Sequence, residues 1–237
     1  MNKIIFVTLQ KQLKPSYLMI KLITNSAFVV LFSAMVLVSC GKDKPLTSEV
    51  TEVSTTTNGA TYEVDTLNSR IEWKGYKVVK TEQSSHFGTI KFESGDLTVK
   101  DGALESGKFV VDMNSLTSVD LKDDAEQLAK LNGHLKSGDF FETEKFPTAS
   151  FEITKVSPND SGDYNTLLDG NLTIKGITKP IQFMANVSVK DGETSIATEP
   201  KDILREDYGV KFQLPLANGL IKDEVNLQIL IKAIEKK

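Results

Sequence analysis

The 237-residue chain has one cysteine, one tryptophan and two histidines. A lone cysteine excludes an intramolecular disulfide, so stability has to come from packing. His86 and His134 have no second histidine or cysteine close by, which argues against a metal centre and favours hydrogen-bonded structural roles. Ser84-Ser85-His86 lies in no G-x-S-x-G elbow, and no paired carboxylates stand out. The expectation is therefore no enzyme, no metal and no cofactor. Acidic residues outnumber basic ones, 32 to 28, so the basic footprint that nucleic acid requires is missing. No apolar run reaches the roughly 20 residues of a membrane-spanning helix.

The longest apolar run has the length of a secretory signal core instead. Ser26 to Ser39 (SAFVVLFSAMVLVS) is apolar, Lys21 supplies a basic flank, and no acidic residue precedes Asp43. A signal core needs only about 7–15 residues. The single cysteine follows at once, and Leu37-Val38-Ser39-Cys40 resembles a bacterial lipoprotein box, in which signal peptidase cuts before a cysteine that carries a diacylglycerol. The expectation is a signal peptide over residues 1–39, lipid attachment at Cys40, and a bacterial cell-envelope location on the periplasmic side or the cell surface. A plain signal peptide with an incidental cysteine and a short uncleaved anchor are the alternatives. Met19-Ile20-Lys21 would open this signal without the mixed segment before it, so residues 1–18 read as a mis-called start. The removed part holds four lysines and no acid, which leaves the mature chain more acidic than the −4 of the whole sequence. Gly41 to Ala60 is Thr/Ser-rich and too poor in apolar side chains to order itself. With Cys40 it reads as a tether over residues 40–60, spanning about 25 Å r.m.s. as a flexible coil.

Residues 61–237 form the domain proper, and their hydrophobic period is two. Ile71, Trp73 and Gly75 alternate with Arg70, Glu72 and Lys74, and Gly88, Ile90 and Phe92 repeat the pattern. So do Phe109, Val111 and Met113, then Phe151 and Ile153, then Leu168, Gly170, Leu172 and Ile174. Ile181 to Val189 makes the longest alternating run, and Val225, Leu227, Ile229 and Ile231 make the last. Strict alternation gives each strand one apolar and one polar face. Ser94-Gly95-Asp96, Asp101-Gly102, Glu105-Ser106-Gly107 and Asp191-Gly192 read as turns between antiparallel strands. About eight such strands fit a sandwich or a barrel. One segment has helical spacing: Leu121, Ala125, Leu128 and Leu131, with Asp120 as N-cap and Gly133 as its end or kink, while Asp123-Asp124 reads as a solvated face.

Five stretches, in order, resemble the YceI-like family. Asn132 to Phe151 (NGHLKSGDFFETEKFPTASF) is similar to the family's HLxSxDFFxxxxxPxAxF motif, with Gly138 at a variable position. Tyr62-Glu63-Val64-Asp65 with Ser69-Arg70-Ile71-Glu72-Trp73 resembles its opening strand pair, and His86-Phe87-Gly88 its H-x-G segment. Gly170 to Pro180 is similar to its GxLTIxGxTKP hairpin, and Arg205-Glu206-Asp207-Tyr208-Gly209 to its R-x-D-F-G segment with Tyr for Phe. The likeness covers roughly residues 61–234. It departs at Thr198 to Asp202, where Pro200 should interrupt a strand.

The resemblance implies an all-β, antiparallel, eight-stranded lipocalin-like barrel with one short amphipathic helix inserted. It also implies a binding role, with a long isoprenoid such as a polyprenyl phosphate or quinone, or another long-chain amphiphile, held inside. An eight-stranded barrel is wide enough to be filled by side chains or to hold one slim ligand. The candidate lining residues are the inward-facing Trp73, Ile90, Phe92, Phe109, Val111, Phe151, Leu172, Ile174, Phe183, Leu227 and Ile229; plain core packing is the alternative for each. Phe140 and Phe141 either plug one barrel end or line the ligand's portal. Arg205 either meets a polar head group or pairs with Asp207 or another carboxylate. Expected partners are the lipid and, through Cys40, a membrane, but not nucleic acid; a homodimer stays open. The competing expectation is a structural or interaction protein whose barrel is full.

Overall fold

The computed structural model describes residues 58–215, 217 and 219–237. The signal peptide, Cys40 and most of the tether expected from the sequence lie outside the described residues. The alternating segments form β1 (Ala60–Val64), β2 (Arg70–Val79), β3 (Glu82–Lys100) and β4 (Ala103–Ser118), followed by helix α1 (Ala125–Lys136). Then come β5 (Thr148–Pro158), β6 (Thr166–Ile174), β7 (Ile177–Lys190), β8 (Glu193–Thr198), β9 (Lys201–Leu204), a 3₁₀ turn (Arg205–Tyr208) and β10 (Gly219–Glu235).

These ten strands occupy eight positions in a closed antiparallel ring. Neighbours pair from β2 through β8, and β10 joins the ends by pairing with β2 and β8. β1 shares the position of β2, since both pair with β3 and β10, and β9 shares that of β8 along β10. Each shared position has a local cause. Between β1 and β2 the chain leaves the ladder, and the Ser69 hydroxyl takes its place, donating to the Lys232 carbonyl (3.1 Å) and accepting from the Lys232 N–H (3.0 Å). Between β8 and β9 stands Pro200, which has no N–H to give. There the Thr198 hydroxyl accepts from the Ile229 N–H (2.9 Å) instead. The interruption expected at Pro200 is therefore present.

The Asp101-Gly102 and Asp191-Gly192 turns form as expected, and Lys175-Gly176 makes a third of the same kind. Both residues of each have positive φ (52° and 78°, 53° and 77°, 50° and 74°), the type I′ geometry whose twist suits a two-residue hairpin. The other two turn readings are corrected. Ser94-Gly95-Asp96 lies inside β3 and Glu105-Ser106-Gly107 inside β4. Their glycines serve packing, because a Cβ on Gly95 would stand 2.7 Å from Val64 Cγ2 and one on Gly107 would stand 2.9 Å from Phe109 Cζ. Bulges after Phe92 and Thr98 bend the two strands there and reset which face points inward.

The helix also differs from its expected span. It starts four residues after Leu121, with Asp124 as N-cap accepting from the Gln127 N–H (3.0 Å), and it passes through Gly133 to Ser137. Asp123 and Asp124 are exposed, as expected, with Asp124 also serving as the cap, and Asp120 is engaged elsewhere. Gly133 has no positive φ and so neither ends nor kinks the helix.

Inside the ring, one end is solid. Leu97, Val99, Leu104, Ile153, Leu168, Ala185, Ile196, Ile231 and Ala233 are buried there beside Tyr62 and Val64 of β1. The other end, toward α1 and the 3₁₀ turn, is hollow.

Candidate ligand-binding cavity

The hollow half encloses a cavity of about 260 Å³. Phenylalanines set its floor. Phe92 meets Phe109 edge-on (centroids 6.2 Å apart), Phe109 stacks on Phe151 (6.3 Å), and Phe151 meets Phe183 edge-on (5.5 Å). Alternating residues of β2, β4, β6 and β10 make the sides, and Leu131 and Leu135 of α1 reach the cavity from above. Among the described residues no three His, Cys, Asp or Glu side chains gather to hold a metal ion.

All fourteen candidate residues line this one cavity, with Trp73, Ile90, Phe92, Phe109, Val111 and Phe151 joined by Leu172, Ile174, Phe183, Leu227, Ile229, Phe140, Phe141 and Arg205. Phe140 packs against His134 (5.0 Å) and Phe212 (5.3 Å), forming an aromatic rim, and His134 Nε2 lies 3.0 Å from Asp139 Oδ2. Arg205 reaches the wall but spends its guanidinium on the backbone. It donates to the carbonyls of Lys222 (3.0 Å), Val210 (2.5 Å) and Ile221 (3.2 Å) and lies 3.7 Å from Glu206, not Asp207. Burial lowers its pKa, against the opposing pull of Glu206 and Asp223. That geometry suits a strut rather than a head-group fork.

Two histidine partners were not legible beforehand. His86 Nδ1 lies 2.8 Å from Asp120 Oδ2, and Asp120 also accepts from the Phe87 N–H (2.9 Å) and the Ser118 hydroxyl (2.7 Å). Burial pushes the Asp120 carboxyl up, but these hydrogen bonds outweigh it and leave the group below its ordinary range. Tyr208 lines the cavity with its pKa pushed up to about 12 by burial and then by Asp207, so its hydroxyl stays neutral.

The sequence reading passed over Tyr76, Lys77, Phe212 and Lys222. Phe212 sits in the irregular stretch after Gly209, where no period helps. Lys77 had a signal, because it continues the inward phase of Ile71, Trp73 and Gly75.

An antiparallel ring of eight strand positions, with an apolar hollow and one helix beside it, is a lipocalin-like barrel. The chain belongs to the YceI-like domain family, whose sequence profile matches residues 62–233. A UPF0312 protein of Vibrio vulnificus is 32% identical over 134 residues, 54% of this chain and 63% of that protein. The chain thus spans just under two thirds of the length of the Vibrio relatives it matches. A UPF0312 protein of Shewanella sp. (strain ANA-3) is 29% identical over 167 residues, 68% of this chain and 81% of that protein. BcnA of Burkholderia cenocepacia superposes with a TM-score of 0.54 at 18% identity, covering 71% of this chain and 98% of its own. A polyisoprenoid binding domain from Saccharophagus degradans, implicated in plant cell wall breakdown, gives 0.51 at 15%, covering 75% and 99%. At these identities the two structures establish the fold.

Proposed function

We propose that the chain is an envelope-anchored carrier that holds a long-chain isoprenoid or similar amphiphilic lipid inside its barrel and does not transform it. The observation that carries this reading is the apolar cavity inside the closed ring of strands, floored by phenylalanines and rimmed by aromatics. Burying a hydrocarbon chain there gains about 0.8 kcal/mol per CH₂ in gross terms, or about 0.3 kcal/mol per heavy atom net for ligands of this size. At about 260 Å³ the space lies just under the roughly 300–1,000 Å³ of common small-molecule pockets, which favours one slim chain over a bulky ring system. The polyisoprenoid binding of the Saccharophagus domain supports the same ligand class. The lipoprotein box at Cys40 supports the anchor, which would hold the barrel near the membrane where such lipids reside.

Native mass spectrometry of the purified full chain, followed by organic extraction, tests the carrier. The expected result is a bound long-chain lipid that Ala149→Trp largely excludes, because Ala149 is a buried cavity residue and an indole there fills the space. A protein that carries nothing and ignores added polyprenyl lipids would leave only the structural or interaction role, supported by the solid half of the barrel. The anchor is tested separately: the wild type should incorporate labelled palmitate and Cys40→Ser should not, and a wild type that takes up no label refutes the lipid attachment.

A further inference from the structure

Tyrosines apart, the ionisable residues that reach the cavity are all of basic type, Lys77, His86, His134, Arg205 and Lys222, with no aspartate or glutamate among the lining, in a chain of net charge −4. Three of them are already engaged. His86 faces Asp120, His134 faces Asp139, and Arg205 holds three backbone carbonyls. Lys77 and Lys222 are different, since neither ammonium group has a carboxylate or hydrogen-bond partner among the described residues.

Both stand where the cavity opens. β4 ends at Ser118 opposite Gly88, and β2, β3 and β10 run on past it as a projecting ribbon. Lys77 pairs with Ile221 on that ribbon, next to Lys222. A bulge then sets Lys222, Asp223 and Glu224 of β10 against Tyr76 alone, and such bulges re-aim side chains. Here the Lys222 ammonium comes to 5.6 Å from the Tyr76 ring centroid, with that of Lys74 at 5.3 Å on the same ring. Of the acids nearby, Asp223 accepts from the Glu206 N–H, Glu206 lies by Arg205 and Asp207 pairs with Lys179, while Glu224 is exposed and outside the cavity lining.

Resting on the carrier reading, we propose that the bound lipid has an anionic head group, phosphate or carboxylate, and that Lys77 and Lys222 hold it at the cavity mouth. The apolar tail occupies the hollow, and the ammonium groups of these two half-buried lysines, both part of the cavity lining, neutralise the charge that the aromatic rim cannot.

The test uses delipidated full-length protein and the fluorescence of Trp73, the chain's one tryptophan and a cavity residue. Two matched pairs are titrated, geranylgeranyl phosphate against geranylgeraniol and palmitate against hexadecanol. The expected result is about tenfold tighter binding of the anion in at least one pair, as suits one or two charge-assisted hydrogen bonds. Preference in both pairs assigns recognition to charge, and preference in one identifies the head group. In Lys77→Gln/Lys222→Gln the ratio of the two affinities should fall to about one, and in the wild type it should shrink as salt rises. Equal affinities in both pairs, or a preference that survives the double variant, overturn the head-group inference while leaving the carrier intact. Failure of alcohols and anions alike to bind overturns both.

Discussion

Gly170→Ala is expected to lower the unfolding free energy by about 3 kcal/mol, the upper end of overpacking costs. Gly170 lies in β6 opposite Ile153 of β5. A Cβ there would strike the Phe151 ring edge and stand 2.7 Å from the Glu152 carbonyl oxygen. Neither obstacle gives way cheaply. The carbonyl is backbone, and the Phe151 ring is held between Phe109, to which it is nearly parallel (9°), and Phe183, which meets it edge-on (86°). Any relief pushes the ring toward the cavity it floors, so lipid affinity should fall together with stability. Gly138→Ala is the control, because nothing lies within 4 Å of its Cβ and its φ is not positive. In urea, the Gly170→Ala midpoint should drop sharply with little change in slope, while Gly138→Ala stays near wild type. Equal midpoints for the two variants would mean that the phenylalanine floor is loosely packed.

That floor marks how far the sequence could be read. Period-two alternation placed Phe92, Phe109, Phe151 and Phe183 on inward faces, since pleat geometry alone decides face. It could not say that these four meet at one level while the half above them stays open, because depth along the barrel depends on strand stagger. The stagger is set by bulges such as those after Phe92 and Ile153, which leave no periodic trace. Gly95 and Gly107 resembled turn residues because glycine signals both a turn and a close approach, and only the position of the Phe109 ring separates the two. The cap fell to Asp124 instead of Asp120 for a similar reason. Either carboxylate could cap a helix, and the long-range demand of His86, the Phe87 N–H and Ser118 on Asp120 decided which one did. The mouth was the least legible part. Phe212 lies outside any regular element, and Lys222 owes its direction to a bulge that alternation cannot register.

Arg205→Met should cost about 3 kcal/mol of stability, from buried carbonyls left without a donor. The side chain is only 3% exposed, and methionine of similar length keeps most of its packing, so the loss isolates the hydrogen bonds. Two of the carbonyls it holds, Ile221 and Lys222, flank the start of the β10 bulge, where the ladder to β2 is interrupted. The third, Val210, ties the 3₁₀ turn to the chain beyond it. The Ile221 carbonyl keeps a second donor, Gln213 Nε2 (3.2 Å), but the Lys222 and Val210 carbonyls lose the guanidinium, and a buried carbonyl left without a donor costs about 1–3 kcal/mol. Arg205→Lys should fail to rescue, since one ammonium cannot reach three carbonyls spread across a planar fork. The bulge itself provides a second readout. It aims Lys222 at Tyr76, so once its carbonyls lose the guanidinium, preference for an anionic over a neutral lipid should decline in the fraction that remains folded. A methionine variant with wild-type urea midpoint and wild-type anion preference would show that the bulge stands without Arg205, and the residue would then be only a passive part of the cavity wall.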